Sequence, residues 1–331
     1  MDFRTELSVP PGDWSMNLGD QVLTLGSCFA QSIGERFLDN KFEAMVNPFG
    51  TTYHPISIHK LISYAAYQEF PAQHTYLEND DAAFNYDFHS SLTAPDRARL
   101  QDQIKERICM VHFFLTKCKT LILTYGTSWI YERNDTGEQV GNCHQQKASL
   151  FSKHLSSAEE IKISFLHTAS ILFSINPALK IILTVSPVRH VKDTLSLNSV
   201  SKAILRVACH QISYEHAQVE YFPAYEILMD DLRDYRFYKN DLIHPTDFAE
   251  EYIWKKFLDR FMTKSTTRLM EELKDVQKAI DHLPFRPESQ TYQKFLKSTL
   301  SRLEELKTRI DVDAEILEIK SRVMASPYSK K

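Results

Sequence analysis

A mainly parallel α/β sheet with helices on both faces is the architecture this sequence predicts, and three observations carry it. Five short apolar runs, at 21–25, 44–46, 120–124, 180–185 and 218–222, have the length and composition of buried strands. Longer segments with helical patterning alternate with them, which is the signature of parallel strands joined by crossover helices. Three of the runs are followed closely by a glycine turn, at Gly26, Gly50 and Gly126. In such sheets binding sites form outside the carboxyl ends of the strands.

In chain order, the first run leads into a helix expected at 29–40, and the second into one at 56–68. Helices at 95–118 and 156–175 flank the third run, with Ser156-Ser157-Ala158-Glu159 as the N-terminal box of the latter. Helices at 195–216 and 246–262 follow the fourth and fifth runs. The stretches 75–95 and 132–153 read as insertion loops, and long loops near strand ends often carry function. Glycine is scarce: the chain has eight, where average usage would give about 23, so each is more apt to mark a required backbone conformation.

The 331 residues suffice for one large domain and an appendage. The expected division is 1–262 for the α/β domain and 265–325 for a C-terminal helical hairpin. In the tail, Met270, Leu273, Val276 and Ile280 recur at helical spacing, Pro284 and Pro287 interrupt, and Phe295, Leu300, Leu303, Leu306 and Ile310 resume the pattern. These helices pack on the domain or on a second subunit, so self-association through them is one expectation.

A net charge of −4, from 39 basic and 43 acidic residues, gives no footprint for phosphate backbones or anionic membranes. No run approaches the roughly 20 apolar residues of a membrane span, and the N-terminus lacks a signal-peptide core. The expectation is a cytoplasmic protein without nucleic-acid or membrane partners. Five scattered cysteines with no C-x-x-C pair argue against disulfides or a zinc ribbon. Cys109, Cys118 and Cys209 read as inert thiols among apolar neighbours.

Two motifs carry chemistry. In Leu25-Gly26-Ser27-Cys28-Phe29-Ala30 a strand ends in a turn and a helix begins at once. A thiolate at a helix N-terminus is stabilised by unpaired amides and the helix dipole, and the same amides can receive an oxyanion. The motif also reads as a helix capped by Ser27, with Cys28 a small buried residue. In Asp241-Leu242-Ile243-His244-Pro245, a carboxylate three residues from an imidazole can hold one tautomer while the other ring nitrogen takes a proton from a nucleophile. Alone, a histidine before proline at a helix start is more often a capping or surface residue. Asn47-Pro48-Phe49-Gly50 and Gly126-Thr127-Ser128 offer backbone amides and a hydroxyl to a substrate oxygen, and read equally as loop punctuation. Cys143-His144 fits no zinc spacing and suits a substrate loop or packing. His54, His89 and His190 carry no assignable role.

Gly26-Ser27-Cys28-Phe29-Ala30 spells the signature of the GSCFA family. The resemblance continues in order through 47–50, 126–129, 142–144, 186–188, 221–226 and 241–245, covering about residues 1–262. That family is grouped with SGNH or GDSL-type hydrolases, which implies a flavodoxin-like three-layer α/β/α fold and a triad site. The resemblance puts Cys28 at the position of the nucleophilic serine, with Ser27 as the alternative nucleophile, Asp241 and His244 in the last block, and Gly50 and Gly126 at the oxyanion-hole glycines. Ser128 stands where an asparagine of that hole is expected. The implied activity is a cofactor-free hydrolase acting on a small-molecule or carbohydrate acyl ester. An acyltransferase on the same site and a binding module with a degenerate site are the alternatives.

Overall fold

The strands and helices of the α/β unit fall where the apolar patterning puts them. The computed structural model describes residues 5–79 and 81–324. Met1–Arg4 and Ala325, the outer ends of the two expected domains, lie outside that range, as does Asp80 of the expected 75–95 loop. In order, the elements are β1 (Val22–Gly26), α1 (Cys28–Asp39), β2 (Ala44–Val46), α2 (Pro55–Tyr67), β3 (Tyr76–Glu78), β4 (Ala83–Asn85) and α3 (Arg97–Leu115). Then come β5 (Thr120–Tyr125), β6 (Trp129–Arg133), β7 (Gln139–Val140), β8 (Phe151–Leu155), α4 (Ala158–Ile175), β9 (Lys180–Val185), α5 (Leu195–Glu215) and β10 (Val219–Phe222). The chain continues with the single turn α6 (Ala224–Glu226), α7 (Asp247–Phe261), α8 (Lys264–Asp281), α9 (Gln290–Leu306) and α10 (Asp313–Met324).

Five strands form one parallel sheet in the order β10-β9-β5-β1-β2. Numbered along the chain, those strands run 2-1-3-4-5, the flavodoxin-like order. Alternation along each strand builds the two flanking layers. Leu23, Leu25, Leu121, Leu123, Ile181 and Leu183 join the core under α2, α3, α4 and α5, whereas Val22, Ile122, Ile182 and Phe222 join the core under α1 and α7. Both faces being buried explains why the strands read as continuous apolar runs. Burying each such side chain stabilises the fold by roughly 1.5–3 kcal/mol.

Helix starts follow local chemistry. Ser157 and Glu160 close a full capping box on α4, one residue later than the sequence suggests. Pro55 opens α2, where its missing N–H is no loss.

The stretch 132–153 is not a loop. With Trp129–Arg133 and Phe151–Leu155 it forms an antiparallel sheet in the order β7-β6-β8. Its strands are short and only half-buried, so they lack the apolar run that marks the central sheet. The 75–95 insertion likewise contains the β3–β4 hairpin.

The tail holds three helices rather than two. Residues 307–312 break the second expected run, and Ile316 and Ile319 of α10 complete a separate core with Leu273, Val276, Ile280, Leu296, Leu303 and Leu306. One turn earlier on α8, Met270 instead belongs to the core under α1 and α7. Ion pairs tie this assembly to the far end of α1: Arg36 to Glu251 at 2.6 Å, Lys274 to Glu251 at 2.8 Å, and Lys41 to Glu315 at 2.6 Å. No described helix is long and apolar enough to cross a membrane.

Candidate active site

The Gly26-Ser27-Cys28 turn is built from backbone first. Gly26 ends β1 at φ +141°, and a Cβ there would lie 2.2 Å from the Thr124 carbonyl oxygen, so only glycine lets β1 and β5 approach this closely. Its N–H donates to Asn47 Oδ1 at 2.9 Å, and its carbonyl accepts from Thr52 N–H at 2.9 Å. Ser27 N–H donates to Thr124 O at 3.1 Å. The Ser27 side chain is 0% exposed and caps α1 by accepting from Phe29 N–H at 3.3 Å. Cys28, the first residue of α1, is half-buried, and its Sγ lies 3.4 Å from the Tyr53 hydroxyl.

Tyr53 is held from both sides. Its carbonyl accepts Gly126 N–H at 2.8 Å and Thr127 N–H at 3.2 Å. Its ring meets the edge of His190 with centroids 5.3 Å apart. A Cβ on Gly126 would stand 3.1 Å from both Tyr53 Cβ and His190 Nε2, so this glycine makes room for two rings. His190 Nε2 is buried with no hydrogen-bond partner among the described residues. Burial, then the nearby Lys202 charge, pulls the His190 pKa down to about 3. Lys202 is fully buried and donates to Gly126 O and Ser186 O, both at 2.7 Å, and burial lowers its pKa to about 7.

The Asp241/His244 pair sits on the loop before α7. Asp241 Oδ1 accepts from Ile243 N–H at 2.9 Å and His244 N–H at 3.0 Å, while Oδ2 meets His244 Nδ1 at 2.7 Å. The bond from the His244 amide, then that from its ring and the Ile243 amide, hold the Asp241 pKa at about 2. Leu242, at φ +57°, makes the tight turn that brings the two side chains together. Both are exposed, His244 at 40% and Asp241 at 44% of the side chain. The loop is tied to the end of β9 through Arg189 N–H to Ile243 O at 3.2 Å, and the Arg189 guanidinium lies 3.9 Å from the Tyr238 ring centre. The charge of His244 also reaches His190 and adds to its lowered pKa.

Other residues singled out in the sequence are engaged elsewhere. Gly50 N–H donates to Asn47 O and Gly126 N–H to Tyr53 O, each at 2.8 Å. Ser128 is fully buried, and its N–H and hydroxyl both bond Ser201 Oγ, at 2.8 and 3.1 Å. Asn47 clamps the end of β1 and reaches Gln31 with its amide. His144 Nε2 donates to Asn85 O at 2.7 Å, so it and the half-buried Cys143 lie on a loop clasped to 85–88. Among the described residues no three His, Cys, Asp or Glu side chains gather as metal ligands. Burial raises the Cys118 pKa to about 12 and pushes that of Cys209 up as well, whereas Cys109 is half-buried. Tyr53, His190 and Lys202 were not assigned from sequence. Their only signals are a tyrosine just before a Pro-initiated helix, a histidine shortly after Ser186-Pro187, and a lysine amid an apolar helix face.

These features define a three-layer α/β/α protein with a flavodoxin-like sheet, a cysteine at the first helix N-terminus and an Asp–His pair before the last sheet-covering helix. The chain belongs to the GSCFA family, whose description matches residues 21–257, and a GSCFA domain protein C-terminal domain matches 273–325. Among solved structures, a carbohydrate esterase family 3 protein from Talaromyces cellulolyticus aligns at 10% identity and TM-score 0.35, covering 77% of this chain and 99% of that one. An acetyl xylan esterase from Butyrivibrio proteoclasticus aligns at 9% and 0.38, covering 72% and 62%. A family 3 carbohydrate esterase from Clostridium thermocellum aligns at 11% and 0.31, covering 77% and 98%. The likeness is remote in each case. No curated protein matches the chain.

Proposed function

We propose that this protein is an acyl-ester hydrolase that works through a Cys28–His244–Asp241 triad. The observation that carries the reading is the carboxylate–imidazole pair: Asp241 fixes His244 Nδ1 at 2.7 Å and leaves Nε2 as the free ring nitrogen. His244 Nε2 removes the Cys28 proton, and the thiolate attacks the acyl carbonyl to give a tetrahedral oxyanion. Collapse breaks the bond to the leaving oxygen, which takes the proton from His244 and leaves a thioester on Cys28. Water, deprotonated by His244, then releases the acid and restores the thiol. An acceptor hydroxyl in place of that water would make the same site an acyltransferase. The Cys28 amide, at the first position of α1, is a suitable oxyanion donor.

The test is turnover of p-nitrophenyl acetate and of an acetylated saccharide by four proteins: wild type, Cys28→Ala, His244→Ala and the double variant. Each single variant is expected to lose turnover, with the double no worse, because parts of a triad act as a unit. Additive losses, or wild-type rates in Cys28→Ala, would remove the triad and leave a binding module. The engagement of the Gly50 and Gly126 amides by Asn47 and Tyr53 favours that second reading.

A further inference from the structure

A thiolate attacking an acyl carbon places a full negative charge on the former carbonyl oxygen, and catalysis needs donors already aimed at it. The amides of Gly50 and Gly126 donate to Asn47 O and Tyr53 O, and Ser128 is turned toward Ser201. Among the described residues, the side chain hydrogen-bonded to Cys28 is Tyr53, whose hydroxyl lies 3.4 Å from Sγ. We propose that Tyr53 is the side-chain donor of the oxyanion hole, a catalytic residue that takes the place of the missing asparagine. This assignment rests on the Cys28 acyl-transfer reading above.

The geometry suits the task. The oxyanion is bonded to the carbon that bonds sulfur, so a donor within hydrogen-bond distance of Sγ is within reach of both atoms. Once Cys28 has lost its proton its sulfur can only accept, and the phenol donates to it. As the sulfur electron pair forms the S–C bond and the carbonyl π pair moves onto oxygen, the phenol O–H turns from sulfur to oxygen and keeps its proton. On collapse the pair returns to the C=O bond, the bond to the leaving oxygen breaks, and the phenol is released unchanged.

Preorganisation comes from the fold. Tyr53 O accepts two amides from the end of β5, Thr52 N–H is fixed to the end of β1, and the ring is fenced by His190 and by the Cβ-free face of Gly126. Burial, followed by the contact with Cys28, drives the phenol pKa well above its ordinary value, so it remains a donor at neutral and mildly alkaline pH.

The experiment compares wild type, Tyr53→Phe and Cys28→Ala in two assays. The first is steady-state hydrolysis of p-nitrophenyl acetate. The second is alkylation of Cys28 by iodoacetamide, a displacement at carbon that needs the thiolate and creates no oxyanion. Tyr53→Phe is expected to lower kcat about 10²–10³-fold while changing the alkylation rate less than about threefold. The alkylation rate also reports that the variant keeps the folded site. Equal losses in both assays would make Tyr53 a positioning residue for the thiolate and overturn the oxyanion assignment. An unchanged kcat would overturn it too. Wild-type hydrolysis no faster than Cys28→Ala would bring down the acyl-transfer reading itself, and this assignment with it.

Discussion

The two halves of the candidate site are held in opposite ways. On the Cys28 side, Gly26 is held by Asn47 and Thr52, Ser27 by the Thr124 carbonyl and Tyr53 by the amides of Gly126 and Thr127, and Ser27 is fully buried. On the base side, Asp241 and His244 project from a loop with over a third of each side chain in solvent, joined mainly to one another. The turn that carries Cys28 is thus anchored in the core, although Cys28 itself is half-buried, whereas the Asp241–His244 pair is a local assembly set on the surface. Substitutions that disturb the backbone of the first side should therefore act on stability, and those on the second on chemistry alone.

The sharpest test of that contrast is Asp241→Asn. With the imidazole free to adopt the wrong tautomer, ester turnover should fall about 10³–10⁴-fold, while the urea midpoint stays close to that of the wild type. A large loss of stability would show that the loop is structural. On the other side, Gly26→Ala should destabilise the protein by about 3 kcal/mol or more, because a Cβ would collide with Thr124 O at a positive φ. Chemical denaturation measures it, and a near-neutral result would mean that β1 and β5 can part without consequence.

Acid should also strike unevenly. His54, His59 and His190 are each pulled from 6.5 to about 3 by burial. Their folded-state values lie below those of the unfolded chain, so unfolding takes up protons and stability falls as pH drops from about 6.5 toward 3. Each neutral histidine contributes up to about 1.4 kcal/mol per pH unit in that window. Asp241, held at about 2, stays ionised throughout it. Urea midpoints at pH 7, 6, 5 and 4 check this, and a flat profile would contradict it. The smallest effect is expected from Ser27→Ala, which removes a helix cap at about 1 kcal/mol and should leave turnover in place. Loss of turnover there, with activity kept in Cys28→Ala, would move the nucleophile to Ser27.

The sheet was legible because its central strands are buried on both faces and its half-buried edge strand β2 is still an unbroken apolar run: the runs at β2 and β9 coincide with the strands residue for residue. The same logic hid β6–β8, whose half-exposed strands carry Lys153 and Glu132 among apolar residues. Cys28, Asp241 and His244 stood out because each sits in a short local motif with a chemical meaning. Tyr53 and Lys202 did not, since their significance lies in contacts made across the fold, to Cys28 from 25 residues away and to Gly126 from 76. Gly126 marks a close approach of the Tyr53 and His190 rings, which the sequence did not announce.

Helix α1 begins at Cys28, and near its far end Arg36 and Lys41 join an ion-pair web that includes Lys274 and Glu315 of the C-terminal helices. Its 12 residues make a rod about 18 Å long, with the Cys28 sulfur at one end and the tail near the other. Glu251 of α7 stands between Arg36 and Lys274, so the C-terminal helices meet this rod through α7 as well as at Lys41, just past its end.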